Sequence, residues 1–178
     1  MDWTECDFGD DEDDVVTAYH ESGHAIIGCA LGATIEQVGL SQASAYDDDD
    51  SGLPVRFGDC MVNWGRVDPS DAWQQQKELL TVLAGPVAEW IYLDRDMDKI
   101  DSATWADDFQ QARRCARALK RDAGAQNKLV QQSIGRLRVV MATDACWAAI
   151  AALADELLLH EIIEGDQVRD LVRFWWTR

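Results

Sequence analysis

A chain of 178 residues, 47% of them apolar, has the length of one domain and enough core-forming material to fold without a disulfide or metal staple. Its 33 acidic residues face 16 basic ones, a net charge of −17 that repels phosphate backbones and anionic bilayers and so argues against nucleic acid as a partner. No apolar run reaches the roughly 18 residues that span a membrane, and the N-terminus has no basic-then-apolar leader, so the expectation is a soluble, cytoplasmic protein without membrane insertion.

Residues 2 to 14 carry eight acids and no base. Like charges this dense repel one another, so residues 1–14 are expected to be a disordered acidic tail and residues 15–178 to form the single domain. A helix is predicted from about Val15 to Leu31, with Asp13 and Asp14 at the positive end of its dipole and Gly32 as its C-terminal cap. Val16, Ile26, Ile27 and Leu31 supply its apolar contacts. The segment "ATIEQVGLSQ", with Ile35, Val38 and Leu40, reads as a strand. The Asp/Gly/Pro-rich residues 46–54, including the run Asp47–Asp50, read as a solvated loop, and "VRFGDCMVNWG" as a second strand pairing with the first.

Start signals at Asp68–Ser70 open a helix through "AWQQQKELLTVLAGPVAEWIYLD", which Pro86 should kink or divide. "SATWADDFQQARRCARALKRDAG" reads as a third helix ending near Gly124, "ACWAAIAALADELLLHEII" as a fourth, largely buried one, and "EGDQVRDLVRFWWT" as a short last one. The fold class is therefore mainly α with a small β-sheet. Trp73, Trp90, Trp105 and Trp147 fall within helical patterns as core residues. Phe174, Trp175 and Trp176 are expected to form an exposed apolar patch, suited to a partner or oligomer contact. Cys6, Cys29, Cys60, Cys115 and Cys146 make no CxxC pair and read as reduced thiols.

The chemistry concentrates in "VVTAYHESGHAIIGCALG". A helix sets His20 and His24 one turn apart on one face, so both imidazoles can point at one ion. Glu21 lies about 100° further round the helix, where its carboxylate can reach a metal-activated water without being a ligand. This is the HExxH pattern: two imidazoles for zinc and a glutamate as general base. Ser22 and Gly23 are small and leave room beside the site. Catalytic zinc takes a third protein ligand. His160, near the end of an apolar helix, reads as a capping or interface residue. Glu89, in "LAGPVAEW", and Asp107 or Asp108, in "ATWADDFQQARRCARAL", are the candidates the residues themselves leave open.

In order and separation, "HESGHAIIG", "LTVLAGPVAEWIY" and "DDFQQARRCARAL" resemble the peptidase domain of the FtsH family of ATP-dependent zinc metalloproteases. The C-terminal "AIAALADELLLHEIIEGDQV" is similar to that family's closing helices, and the resemblance covers about residues 15 to 172. It implies a zincin-type fold and Zn2+ held by His20, His24 and Asp108. Asp108 stands before Phe109, with Ala112, Ala116 and Arg117 following in register. Backbone N–H groups at the helix start are expected to hold its carboxylate, while Asp107 faces solvent and Glu89 serves as an outer, structural carboxylate. The chain departs from the family in having no ATPase module and no transmembrane segment, Pro86 where the family has arginine, and Ser22 where it has alanine.

The expected function is that of a zinc-dependent endopeptidase with Glu21 as general base, cleaving peptides or unfolded segments. These would pair with the edge of the "TIEQVGLS" strand. A homo-oligomer, or an ATPase on a separate chain, is a possible partner. The competing expectation is a non-catalytic peptide- or protein-binding module, or accessory subunit, that keeps the fold.

Overall fold

Acidic side chains do not prevent the first helix from starting early, because negative charge is favourable near a helix N-terminus. The computed structural model describes residues 9–40, 58–65, 70–94 and 102–176. Helix α1 spans Gly9–Ala30, so the last part of the acidic segment is helical and the helix begins before the expected Val15. Residues 1–8 and the acidic run Asp47–Asp50 lie outside the described residues. At the other end, Gly32 takes φ 95°, a left-handed conformation that costs glycine little. Its N–H donates to the Cys29 carbonyl at 3.0 Å, and the Ala33 N–H donates to Gly28 at 2.9 Å, a Schellman stop.

The chain then enters strand β1, Thr34–Leu40. Strand β2, Gly58–Asn63, pairs with it antiparallel, setting Ile35 opposite Val62 and Val38 opposite Cys60, with a bulge between Ile35 and Gln37. A third strand, β3, Ile162–Glu164, pairs along the other edge of β1, so the sheet order is β2-β1-β3. β1 is thus the central strand. The expectation that its edge receives an extended substrate is corrected: both of its edges are already paired.

Helix α2, Ala72–Leu93, is opened by Asp71, whose side chain accepts the Trp73 N–H. Pro86 is expected to kink or divide it; the helix runs through Pro86 undivided. The missing N–H leaves the Val82 carbonyl without its helical donor, a cost of about 3 kcal/mol in an isolated helix. Burial of Leu79, Leu83, Val87 and Ala88 on both sides of the proline offsets it.

The helix expected over residues 102–124 is shorter. A 3-10 turn, Ser102–Trp105, leads into α3, Ala106–Leu119, and Lys120 is extended. Helix α4, Ala123–Met141, to which the sequence reading assigns no element, follows with Asp122 as its N-cap. It buries Val130, Ile134, Leu137 and Met141 along one face. Helix α5, Asp144–His160, adds Cys146, Ala149, Ile150, Leu153, Ala154 and Leu157, and α6, Gly165–Trp176, closes over β1.

The architecture is mainly helical with a small antiparallel sheet, and among the described residues no single helix is long and apolar enough to cross a membrane. The four described cysteines, Cys29, Cys60, Cys115 and Cys146, are free thiols. Trp105 is buried and Trp90 and Trp147 are half-buried, but Trp73, expected in the core, is 58% exposed. Phe174 and Trp175 are exposed as expected, whereas Trp176 is half-buried against the core.

The α1–α2 crossing is the tightest packing in the fold that bears on the site. A Cβ on Gly23 would stand 2.5 Å from the Ala84 carbonyl oxygen and 2.7 Å from Ala88 Cβ. Gly23 therefore makes room for α2, where the sequence suggested open room beside the site. Because the obstacle is backbone, Gly23→Ala is expected to destabilise the protein by about 2 kcal/mol despite alanine's better helix propensity. Thermal unfolding should show a midpoint lowered by roughly 4–8 °C.

Candidate metal centre

Each histidine ring on α1 is fixed through its Nδ1 by α2. His20 Nδ1–H donates to Glu89 Oε2 at 3.0 Å, and His24 Nδ1–H donates to the Thr81 carbonyl at 2.8 Å. Trp105 Nε1–H donates to the same Glu89 oxygen at 2.8 Å, which marks that oxygen as an acceptor. Since both Nδ1 partners are acceptors, each imidazole carries a proton on Nδ1, and in its neutral form presents the Nε2 lone pair.

The two Nε2 atoms lie 3.1 Å apart, with the rings edge-on at 74°. Asp108, in the first turn of α3, completes the group: Oδ2 is 3.1 Å from His20 Nε2 and Oδ1 is 3.5 Å from His24 Nε2. One potential ligand atom from each of the three residues lies within 4.8 Å of the other two. Three acceptors at this separation repel unless a cation sits among them. In the metal-free protein a proton on His20 takes that part. Burial alone would lower the His20 pKa, but the hydrogen bonds to Asp108 and Glu89, with the charges of Glu21 and Asp108, outweigh it and push the value up to about 9. A divalent ion would do the same with more charge. Two imidazoles and one carboxylate form a donor set that suits zinc or non-haem iron, and both first-row ions accept it.

Gly85 of α2 stands directly behind the rings. A Cβ there would lie 2.6 Å from His24 Cε1 and 2.7 Å from His20 Nε2, and closer still to His24 Nε2. Only a residue without a side chain lets the nitrogens occupy this position. In front, a cleft of about 510 Å³ opens, lined among others by Glu21, Cys60, Val62, Trp64, Glu78 and Asp107. Glu21 is buried to 7% exposure yet borders the cleft beside His20.

The other sequence candidates sort clearly. Asp107 is exposed at the rim, and Glu89 is fully buried and holds His20 and Trp105 from behind the cluster. His160 ends α5, exposed, with its Nε2 3.4 Å from Glu156. Asp108 differs from expectation in detail, for its carboxylate oxygens turn to the two imidazoles. Sequence reasoning missed Thr81, Gly85 and Trp105 as supports. The spacing of Thr81, Gly85 and Glu89, each one turn from the next, carried the signal for the first two. No protein-family profile matches this chain, and no curated protein matches it.

A metal ion entering this cluster must displace the His20 proton. The proton competes below its pKa of about 9, so apparent affinity for a divalent transition ion should rise with pH toward that value. Near neutrality, about one proton should be released per ion bound. Calorimetric titrations in buffers of different ionisation enthalpy measure that release. Gly85→Ala, which pushes a methyl against both rings, is expected to weaken binding by roughly 10- to 100-fold in the same titration.

Proposed function

We propose that this chain is a zinc-dependent peptidase domain of the FtsH-like, zincin type, cleaving short peptides or unfolded segments. The observation that carries the reading is the meeting of His20 and His24 with Asp108 at the floor of a cleft that Glu21 also lines. The donor set fits the ion because both imidazoles are held in the tautomer a ligand needs and Gly85 leaves the space open. A site kept only for structure has no use for a carboxylate beside the first histidine.

Bound zinc supplies an acidified water and polarises the scissile carbonyl. Glu21, next to His20 and in reach of the cleft, takes the proton of the attacking water and passes it to the departing amine. Glu89 and the Thr81 carbonyl keep the two rings aimed, and Asp108 contributes negative charge that lowers the net charge of the centre. A strand runs beside this machinery. Among the described residues, β2 pairs only with β1, and its Cys60 and Val62 border the cleft. An extended peptide can add to that edge through main-chain hydrogen bonds. A folded chain cannot present one, which is why the substrate class is peptides and unfolded segments.

Glu21→Gln is expected to lower peptide hydrolysis by roughly 10²- to 10⁴-fold, the usual worth of a general base, while zinc content by elemental analysis stays at the wild-type level. Asp108→Ala should lose the metal and Asp107→Ala should keep it. Hydrolysis that continues undiminished in Glu21→Gln sinks the peptidase reading. Metal lost from the Asp107 variant and not from the Asp108 variant overturns the ligand assignment.

A further inference from the structure

Among the described residues, the cleft beside the cluster is charged with one sign only. Glu21, Glu78, Asp107 and Asp108 line it, and none of the described residues that line it is a lysine or arginine. A divalent ion offsets Asp108 and Glu21. Glu78 and Asp107 have no part in the proposed chemistry, and among the described residues neither meets a base. Glu78 Oε1 accepts from the neutral Gln74 side chain at 3.2 Å, and Asp107 is exposed in the first turn of α3. Lys77, the base adjacent to Glu78 in sequence, is turned onto indole faces instead: its Nζ lies 5.6 Å from the centre of the Trp64 ring and 5.9 Å from that of Trp73. Glu78 lines the cleft from α2 and Asp107 from the first turn of α3. The opposite wall, Cys60, Val62 and Trp64, is largely apolar.

We infer that this cleft selects peptides with lysine or arginine beside the scissile bond and rejects aspartate and glutamate there, with Glu78 and Asp107 as the specificity-determining residues. The inference rests on the peptidase reading and deepens it. Two carboxylates that meet no base among the described residues, in a cleft walled partly by apolar side chains, attract a cationic side chain and repel an anionic one. Each exposed charge pair is worth a factor of up to about five. Attraction of a base and repulsion of an acid act together, so the two classes of substrate should differ roughly tenfold in kcat/KM, within the about 25-fold that two such factors allow.

The test uses the zinc-loaded protein and a set of fluorogenic peptides in which each position around one bond is varied among lysine, leucine and glutamate. At one position or more, lysine should exceed glutamate roughly tenfold, and the ratio should shrink as salt rises. In the double variant Glu78→Gln, Asp107→Asn the ratio should fall toward one, and the double variant Glu78→Lys, Asp107→Lys should reverse the order. A wild-type ratio near one, or a ratio the first double variant leaves unchanged, overturns the inference. A second arm separates it from the peptidase reading: binding of labelled peptides to Glu21→Gln, read by fluorescence anisotropy. If wild type cleaves nothing but the lysine peptides bind more tightly in a Glu78- and Asp107-dependent way, the charge selection stands and the peptidase reading falls. If the lysine and glutamate peptides bind alike, or neither binds, the charge selection falls.

Discussion

The candidate centre depends on how closely the backbones of α1 and α2 can approach. Gly23 on one helix meets Ala84 and Ala88 on the other, and Gly85 faces the two imidazoles. Larger residues on either side would hold the helices apart, and the rings would lose the partners that orient them. The close approach puts His24 Nδ1 within hydrogen-bond distance of a main-chain carbonyl and His20 Nδ1 within reach of Glu89. A backbone carbonyl can serve as the second partner because helix-helix separation, not side-chain length, sets that distance. The stretch "TVLAGPVAE" thus combines two jobs on one face: small residues that admit α1, and acceptors one turn to either side that aim its histidines.

Electrostatics make this arrangement conditional on a cation. Glu89 is wholly buried, and a buried carboxylate is costly unless it is hydrogen-bonded. The indole of Trp105 and the imidazole of His20 both donate to it. With Nδ1 committed to Glu89, the same imidazole can satisfy Asp108 only by carrying a second proton or by sharing a metal ion with it. The raised pKa of His20 and the capacity for metal therefore have one origin, two carboxylates on opposite sides of one ring. The proton is the weaker occupant, since it links His20 to Asp108 and leaves His24 Nε2 facing them.

Local signals in the sequence were enough for the parts of the fold built from local rules. The α1 terminator at Gly32, the pairing of β1 with β2, and the helical placement of His20, Glu21 and His24 follow from glycine geometry, alternation and spacing. The elements that escaped are those set by distant contacts. β3 is three residues long, too short to show a period, and exists because β1 offers an edge that the Leu40 N–H and Glu161 carbonyl begin to close at 2.8 Å. The stripe Val130, Ile134, Leu137, Met141 was present in α4, but Gly124 near its start and Gly135 inside it mask the helix on propensity. That Pro86 would divide α2 did not hold, because the isolated-helix penalty was set against no knowledge of the burial around it. Trp73 sits in the first turn of α2, where helical spacing says nothing about which turn protrudes beyond the core.

The third donor is the part of the site that spacing alone could not choose, and the reason lies in Trp105. Its buried indole ends the 3-10 turn and is tied to Glu89, which is itself tied to His20. That link fixes where α3 begins relative to α1. Asp108 follows Trp105 by three residues, nearly one helical turn, and so lies on the side of α3 that the indole holds against α1 and α2. Asp107, one residue earlier, is rotated by about 100° toward the rim. The choice between two adjacent aspartates is therefore made by a hydrogen bond that involves neither, and Glu89, which is no ligand in this geometry, sets both the aim of one imidazole and the register of the carboxylate that meets it.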